Sequence, residues 1–309
     1  MAINVVDINS LVEIDSFSYS QEEPPEKRSI GPSDKTQRQC LFCGRGQSDG
    51  ARYKSVSHLL PEGLGNRYLF SNRECDDCNH KFGNRVDNDF LSAVTGFRLN
   101  LFMSGKNGRI KVRDPKLKSN ILAGAPGESI QITQQEKEEA IVKFIDDHQL
   151  ELQIFVPGHR SSAIPRALAR YGLMMCPELL SDRYPHVIPW LREEQEILPI
   201  TFVRAFIRGP GLSKTALRVV EFKNDGPFQH AVLLGFSNVV LAFHYPPVSG
   251  SPDDLEYWFP ALPPPVPYSL EIPISQLTMR KEAAIKAGHE SRIMHYDRKE
   301  DLLSTDGEE

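Results

Sequence analysis

Two short cysteine pairs decide the organisation of this chain: Cys40-Leu41-Phe42-Cys43 and Cys75-Asp76-Asp77-Cys78, with Ser57-His58-Leu59-Leu60-Pro61 between them. Each pair places two thiolates on one tight turn, and two such turns complete a tetrahedral site with four sulfur ligands. The spacing therefore predicts a structural Zn²⁺ bound by Cys40, Cys43, Cys75 and Cys78. The fifth cysteine, Cys176, falls in an apolar segment and is expected to be a core residue.

The 309-residue chain has the composition of an ordinary globular protein, with 40% hydrophobic and 25% charged residues. Its N-terminus lacks the charged-then-apolar pattern of a signal peptide, and no apolar run approaches the roughly 18 residues that a membrane span needs. Cysteines in CxxC pairs are typical of metal binding in a reducing compartment rather than of disulfides. We therefore expect a cytoplasmic protein that does not bind membranes.

Charge is unevenly distributed along the chain. The formal net charge is −5 at pH 7, whereas residues 40–115 contain 12 Lys and Arg against 8 Asp and Glu, a balance of +4. The overall acidity argues against a generally basic nucleic-acid coat, and the basic segment is compatible with DNA binding. Five acids and no base occupy the last ten residues, so we expect an acidic tail at 299–309.

Changes in composition divide the chain into segments. Residues 1–39 include a stretch rich in Glu, Pro, Ser and Lys, which favours a flexible arm or linker. Residues 40–105 hold the cysteine pairs. Residues 106–298 alternate short β-type runs with a helical pattern at 164–180, which favours a mixed α+β domain. The whole chain is therefore predicted to be α+β, with a small zinc-stapled module before a larger α+β domain.

Hydrophobic periodicity indicates the elements of the small module. Residues 53–60 and 68–74 are predicted strands on either side of a loop with two glycines. From Asn79 onward, apolar residues recur at steps of three and four, the period of an α-helix that begins at the second cysteine pair; they are Phe82, Val86, Phe90, Leu91, Val94 and Phe97. Farther along the chain, the basic stretch at 279–295 is also expected to be helical.

The span of residues 40–90 resembles the HNH endonuclease family, in the branch with a CxxC pair on each side of the histidine. The matching segments are Cys-Leu-Phe-Cys-Gly (40–44), Ser-His-Leu-Leu-Pro-Glu-Gly-Leu-Gly-Asn (57–66) and Asn-Arg-Glu-Cys-Asp-Asp-Cys-Asn-His-Lys-Phe-Gly (72–83). The resemblance implies a ββα-metal unit, in which a hairpin and a helix hold one catalytic divalent cation.

The resemblance also implies roles for three polar residues. Hydrolysis of a phosphodiester needs an activated water, a cation that stabilises the charge of the transition state, and help for the leaving oxygen. By resemblance His58 is the general base, since neutral imidazole accepts a proton near neutral pH. Asn72 would orient that ring, and Asn79 would bind Mg²⁺ or Mn²⁺ through its amide oxygen.

Ser57 departs from the family pattern. Many members have Asp or Glu immediately before the histidine as a second metal ligand, and a hydroxyl is a poor substitute for a carboxylate. Either another acid supplies the missing charge, with Glu62, Glu74 and Asp87 as candidates, or the metal is held more loosely. His80 is a further candidate ligand, with an exposed helix position as the alternative.

The resemblance implies a metal-dependent DNA endonuclease whose residues 106–298 control or target cleavage, and RNA is the other substrate open to this chemistry. Similar modules occur in bacterial anti-phage effectors that sense a cyclic nucleotide and in restriction enzymes that read modified DNA. We therefore expect a defence or restriction effector with a small-molecule or nucleotide activator. One such centre cuts one strand, so double-strand cleavage requires a homodimer. The alternatives are a non-catalytic zinc-dependent nucleic-acid binder and a nicking enzyme of DNA processing.

Overall fold

The computed structural model describes most of the chain as a mixed α+β protein. The described residues are 3–6, 10–20, 23–99, 104–105, 108–115, 118–122, 131–133, 141–194, 201–207, 212–223, 229–246, 257–260, 268–271 and 284–295. The predicted acidic tail at 299–309 lies outside them.

The secondary structure of the described residues is as follows. The helices are α1 (Asp76–Phe82), α2 (Asn88–Ala93), α3 (Thr95–Arg98), α4 (Ala163–Met175), α5 (Pro177–Arg183) and α6 (Val187–Leu191), with a π-helical segment (Gly83–Asp87) between α1 and α2 and short 3-10 helices at Lys35–Gln37, Gln47–Asp49 and Glu62–Leu64. The strands are β1 (Ile3–Val6), β2 (Leu11–Tyr19), β3 (Arg28–Ile30), β4 (Ser57–His58), β5 (Leu69–Ser71), β6 (Ser104–Gly105), β7 (Gly108–Arg109), β8 (Lys111–Asp114), β9 (Ser119–Leu122), β10 (Gln131–Thr133), β11 (Val142–Phe144), β12 (Gln149–Val156), β13 (His159–Arg160), β14 (Thr201–Ile207), β15 (Leu212–Phe222), β16 (His230–Ser237), β17 (Val239–His244), β18 (Tyr257–Pro260), β19 (Tyr268–Glu271), β20 (Ala284–Ile285) and β21 (Gly288–His295).

The largest sheet has six antiparallel strands in the order β19-β14-β17-β16-β15-β2. Every residue of its two central strands, β16 and β17, is buried, as expected for continuous apolar runs that are covered on both faces. Helix α4 packs on this hairpin, where Tyr245 donates a hydrogen bond to the carbonyl of Ala169 at 2.7 Å. The prediction of one amphipathic helix over 164–180 is confirmed only in its first part: α4 ends at Met175, α5 starts at Pro177, and all of α4 is buried rather than one face of it.

The N-terminal segment differs from the predicted flexible arm at 1–39. Strand β2 pairs with β15 from Tyr19↔Thr215 to Leu11↔Phe222, and β3 pairs with β5 of the cysteine module. A strand edge presents unpaired N–H and C=O groups, and β2 satisfies those of β15. The partner lies about 200 residues away in sequence, so the polar composition near the N-terminus does not report this pairing.

The cysteine module contains the predicted hairpin and helix. β4 pairs antiparallel with β5, both strands being shorter than expected, and α1 begins directly after Cys75. The apolar side chains of the helical pattern lie in one hydrophobic core together with side chains from α4 and the six-stranded sheet. The module and the second region therefore share a core across the predicted boundary at residue 105.

Two smaller sheets follow the module, β8–β9–β10 and β11–β12–β21. The expectation of a helix at 279–295 is wrong where the structure describes it, because β20 and β21 are strands. β21 pairs along the whole of β12, from Gly288↔Val156 to His295↔Gln149. Side chains of β12 alternate between buried and half-buried. The backbone N–H and C=O groups along the edge of β12 need partners, and pairing with them overrides the local helical preference of the β21 segment.

Among the described residues, no helix is both long enough and apolar enough to cross a membrane.

Candidate functional site

The four cysteines of the two CxxC pairs form one cluster. Their Sγ atoms all lie within 4.8 Å of one another, and Cys43 Sγ lies 3.8 Å from Cys75 Sγ. A Zn–S bond of about 2.3 Å places the sulfurs of a tetrahedral site about 3.8 Å apart, so this donor set fits a structural zinc. Cys176 lies outside the cluster.

Backbone hydrogen bonds join the two cysteine turns. Leu41 N–H donates to the carbonyl of Arg73 at 2.7 Å, and Gly44 N–H donates to the carbonyl of Cys40 at 2.8 Å. Gly44 has φ of +71°, a conformation that glycine adopts without steric cost and that closes the first turn. The two turns are thus held together by the backbone as well as by the sulfur ligands.

A cleft of about 1180 Å³ separates the module from part of the second region. One wall consists of the end of β4, α1, the π-helical segment and α2, and the other consists of β8, β9 and β12. The polar or ionisable side chains that line it are His58, Glu62, Asn79, His80, Asn84, Asp87, Asn88, Ser92, Thr95, Arg98, Lys111 and Arg113. Many of the module's side chains that carry potential oxygen or nitrogen ligand atoms therefore line one cleft.

His58 stands at the edge of this cleft on β4. Its ring packs against Phe70 of β5 in an edge-on contact, with ring centroids 5.0 Å apart. Its Nε2 lies 3.5 Å from Oε1 of Glu62, and both side chains line the cleft. The imidazole and the Glu62 carboxylate therefore lie close enough to act on the same bound molecule in the cleft.

Asn66 shapes the loop that places His58 and Glu62. It is fully buried, and its amide nitrogen donates to the carbonyls of Leu60 and Leu69 at 2.8 and 2.9 Å. Its amide oxygen accepts from the backbone N–H of Leu69 at 2.9 Å. The sequence analysis gave Asn66 no role, and its position at the end of a loop with two glycines was the available signal.

The helical wall presents Asn79, Gly83 and Asp87 at steps of four residues, which places them on one face. His80 and Asn84 form a second pair, with the amide nitrogen of Asn84 3.2 Å from a ring nitrogen of His80. The chain between Gly83 and Asp87 is π-helical, a local widening that often occurs at functional sites. Asn79, His80 and Asp87 thus line the same cleft as His58.

Asn72 and Glu74 are not among the described residues that line the cleft. Asn72 follows β5, and its backbone N–H donates to the carbonyl of Ile30 at 2.8 Å. The Glu74 side chain is fully buried and accepts a hydrogen bond from Ser57 Oγ. The carboxylate nearest to Ser57 is therefore turned into the protein, and Glu62 and Asp87 are the candidate acids that face the cleft.

Arg170 of α4 holds the buried carboxylate of Glu74. Its Nε and Nη2 donate to the two oxygens of Glu74 at 3.1 and 2.7 Å, and its Nη1 donates to Asp87 Oδ1 at 3.0 Å. Burial raises the pKa of the Asp87 carboxyl above its ordinary value, and the Arg170 charge opposes that rise. Sequence reasoning missed Arg170, because nothing near it in the chain indicates a partner in the module.

Basic side chains line the cleft, two from β8 of the second region and one, Arg98, from α3 at the end of the module. Lys111 and Arg113 occupy the exposed face of β8, alternating with buried residues. Arg98 Nε donates to the carbonyl of Gly63 at 3.0 Å, and its acceptors in the described chain are backbone carbonyls rather than carboxylates. Burial lowers the pKa of the Arg98 guanidinium to about 10. The positive charge of these side chains makes the cleft suited to an anion.

Comparison with known proteins gives one match. A family model described as HNH endonuclease matches residues 40–94. Comparisons with curated proteins and with solved structures give no match. The matched segment contains the four cysteines, the β4–β5 hairpin and α1.

Proposed function

Because residues 40–94 form an HNH endonuclease module, we propose that this chain is a metal-dependent endonuclease that hydrolyses phosphodiester bonds in DNA. The observation that carries the proposal is the cleft, in which His58 lies with Glu62, Asn79 and Asp87 on one wall and basic side chains on the other. The module implies a nucleic-acid substrate. The choice of DNA follows the family resemblance.

His58 is the proposed general base. Its imidazole takes a proton from a water in the cleft, and the carboxylate of Glu62, 3.5 Å from Nε2, stabilises the imidazolium that results. Packing against Phe70 limits rotation of the ring. Asn72 lies outside the cleft lining, so in this proposal it supports His58 only through the β4–β5 hairpin.

Asn79 and Asp87 are the proposed ligands for Mg²⁺ or Mn²⁺, with Glu62 and His80 as further donors in the same cleft. Amide and carboxylate oxygens are the donors that these hard cations prefer, so the residues present fit such an ion. When bound, the cation stabilises negative charge on the phosphate and the leaving oxygen. Glu74 is excluded from this set because its side chain is fully buried and does not line the cleft, whereas Asp87 does.

The basic wall is the proposed contact for the phosphate backbone. Lys111, Arg113 and Arg98 line the cleft opposite or beside the donors, and charge neutralisation by such residues supplies most of the sequence-independent affinity for DNA. Backbone contacts of this kind set position without reading sequence. We therefore expect the isolated activity to have little sequence preference.

A single cleft of this kind acts on one strand at a time, so we propose nicking by a monomer and double-strand breaks by a homodimer. The proposed setting is anti-phage defence or restriction, supported by the fusion of a small nuclease module to a larger region. A small-molecule or nucleotide activator would act through that region.

The test is plasmid cleavage by the full zinc-loaded chain in Mg²⁺ and in Mn²⁺. Replacing a general base lowers the rate by about 10² to 10⁴, so His58→Ala should lose cleavage while retaining its zinc. His148→Ala is the matched control, because His148 lies in an exposed turn outside the cleft lining. Supercoiled plasmid should become nicked circle before linear DNA accumulates.

Two results would overturn the proposal. DNA binding with no cleavage in either metal, with and without cyclic nucleotides, would favour the non-catalytic binder. Equal cleavage by wild type and His58→Ala would remove the base from the mechanism. Cleavage only after addition of a cyclic nucleotide would support both the nuclease and the activator.

A further inference from the structure

Helix α4 of the second region inserts one charged side chain into the nuclease module. The Arg170 guanidinium is fully buried, and so is the Glu74 side chain with which it forms a two-pronged ion pair. The two residues are 96 positions apart in sequence. A buried ion pair with matched geometry indicates an arrangement that the fold defines closely, because either charge alone would be costly.

The same guanidinium also contacts Asp87, whose side chain lines the cleft. Arg170 Nη1 lies 3.0 Å from Asp87 Oδ1, and the neighbouring Tyr171 donates its hydroxyl to that oxygen, also at 3.0 Å. Asp87 is the partner with access to solvent, since its side chain is 14% exposed whereas that of Glu74 is 0% exposed. Two consecutive residues of α4 therefore fix the orientation of one carboxylate in the cleft wall.

The other end of this network touches the residue before the proposed base. Glu74 accepts a hydrogen bond from Ser57, which occupies the position that a carboxylate holds in many members of the family. The chain Ser57–Glu74–Arg170–Asp87 thus connects β4 to the helical wall through a side chain from outside the module. When all three ionisable members are charged, the network carries one net negative charge, and Asp87 presents it to the cleft.

We infer that Arg170 is a positioning residue through which the second region sets the affinity of the cleft for its divalent cation, by holding the Asp87 carboxylate. This inference rests on the proposed function. Residues that orient a metal ligand affect metal affinity by about 10- to 100-fold when they are replaced. A residue that only fastened α4 to the module would change stability and leave metal affinity unchanged.

Helix α4 can transmit such control because it packs on the six-stranded sheet as well as on the module. Tyr245 binds the carbonyl of Ala169, one residue before Arg170, and Gly172 approaches Val232 of β16 closely. A change in the sheet region that moves α4 therefore moves the Arg170 guanidinium relative to Asp87. The second region needs no contact with the substrate to alter the cation site by this route.

The experiment measures Mn²⁺ binding to the full zinc-loaded chain without DNA, by titration calorimetry and by electron paramagnetic resonance of free Mn²⁺. Arg170→Lys keeps the charge but cannot bridge Glu74 and Asp87 with a planar fork. We expect Mn²⁺ affinity to fall by about 10- to 100-fold, and cleavage to need correspondingly more metal with little change in its rate at saturation.

Arg166→Lys is the matched control. Arg166 is one turn earlier on α4 and is also buried, but its Nη1 donates to the carbonyl of Trp190 at 2.9 Å, outside the nuclease module. Thermal unfolding of both variants measures how far each substitution destabilises the whole protein, so that a loss of Mn²⁺ affinity can be compared at similar stability. We expect comparable destabilisation and unchanged Mn²⁺ affinity for Arg166→Lys.

Tyr171→Phe is the second test variant, for use if Arg170→Lys does not fold. It removes one hydrogen bond to Asp87 and leaves every charge in place, so affinity should fall by about fivefold. Unchanged Mn²⁺ affinity in a folded Arg170→Lys or Tyr171→Phe variant, with cleavage by wild type intact, would overturn this inference alone. Failure of the wild type both to bind Mn²⁺ and to cut DNA would overturn the proposed function together with it.

Discussion

Gly172→Ala is the perturbation that best tests how α4 is seated. An added Cβ at Gly172 would lie 2.2 Å from Val232 Cγ2 and 2.5 Å from the hydroxyl of Tyr245. Ordinary contacts between carbon atoms are about 3.5–4.0 Å, so helix and sheet would have to separate by more than about 1 Å. Val232 is buried in β16, and the Tyr245 hydroxyl donates a hydrogen bond to the carbonyl of Ala169. Neither group can move away from the added Cβ without losing packing or that hydrogen bond.

The magnitude follows from two opposing terms. Overpacking a close contact costs about 1–3 kcal/mol, and replacing a helical glycine by alanine returns up to about 1 kcal/mol. Because both neighbouring groups are held in place, we expect a cost at the upper end and a net loss of about 2 kcal/mol in the free energy of unfolding. The displaced helix should also weaken Mn²⁺ binding, since it carries Arg170.

Gly83→Ala is the matched comparison for stability. Gly83 has helical angles of φ −57° and ψ −45°, and an added Cβ there meets nothing within 4 Å. The same chemical change should therefore stabilise the protein by about 0.5–1 kcal/mol. The two variants are expected to differ by about 3 kcal/mol in unfolding free energy.

The assay is urea unfolding of the zinc-loaded full chain, followed by tryptophan fluorescence. Trp190 is a suitable reporter because it is buried and stacks with Arg166 of α4. Equal stability of Gly172→Ala and Gly83→Ala would mean that α4 does not approach β16 as closely as these distances require.

Two further outcomes are expected. Cys78→Ser should lose bound zinc and unfold the module, because the binding energy of a structural zinc, about 10–16 kcal/mol, is comparable to the whole stability of a domain. Cys176→Ser lies outside the cluster and should keep its zinc. Metal analysis and circular dichroism would check both variants. Lys111→Gln should weaken DNA binding and reduce the slope of log affinity against log salt by about one, whereas Lys143→Gln, on an exposed position of β11 outside the cleft lining, should leave the slope unchanged. A slope that stays the same for Lys111→Gln would mean that β8 does not contact phosphate.

The module could be predicted from sequence because its signals are local. Two CxxC turns bring four thiolates together with little dependence on the rest of the fold, and the sulfur cluster confirms the prediction. The helical period from Phe82 to Phe97 likewise depends only on neighbours three and four residues apart. His58, Asn79, His80 and Asp87 share the cleft for the same reason, since the hairpin and helix that carry them adjoin the cysteine turns.

Long-range pairing accounts for what sequence did not reveal. β2 completes the edge of a sheet built from residues beyond 200, and β21 pairs with β12 from across the second region. Strand pairing satisfies backbone donors and acceptors whose partners have no fixed spacing in sequence. Composition therefore suggested a flexible arm for one segment and a helix for the other.

Ligand type and spacing are local properties of the chain, so they were enough to predict the four-cysteine module and the match of residues 40–94 to the HNH endonuclease family. Which of the candidate acids line the cleft depends instead on tertiary packing. Glu62 and Asp87 face it, whereas Glu74 is turned inward by an arginine 96 positions away. The role of a carboxylate depends on its burial and on the charge beside it. For Glu74 and Asp87, helix α4 sets both, and α4 is held by a sheet that lies outside the module.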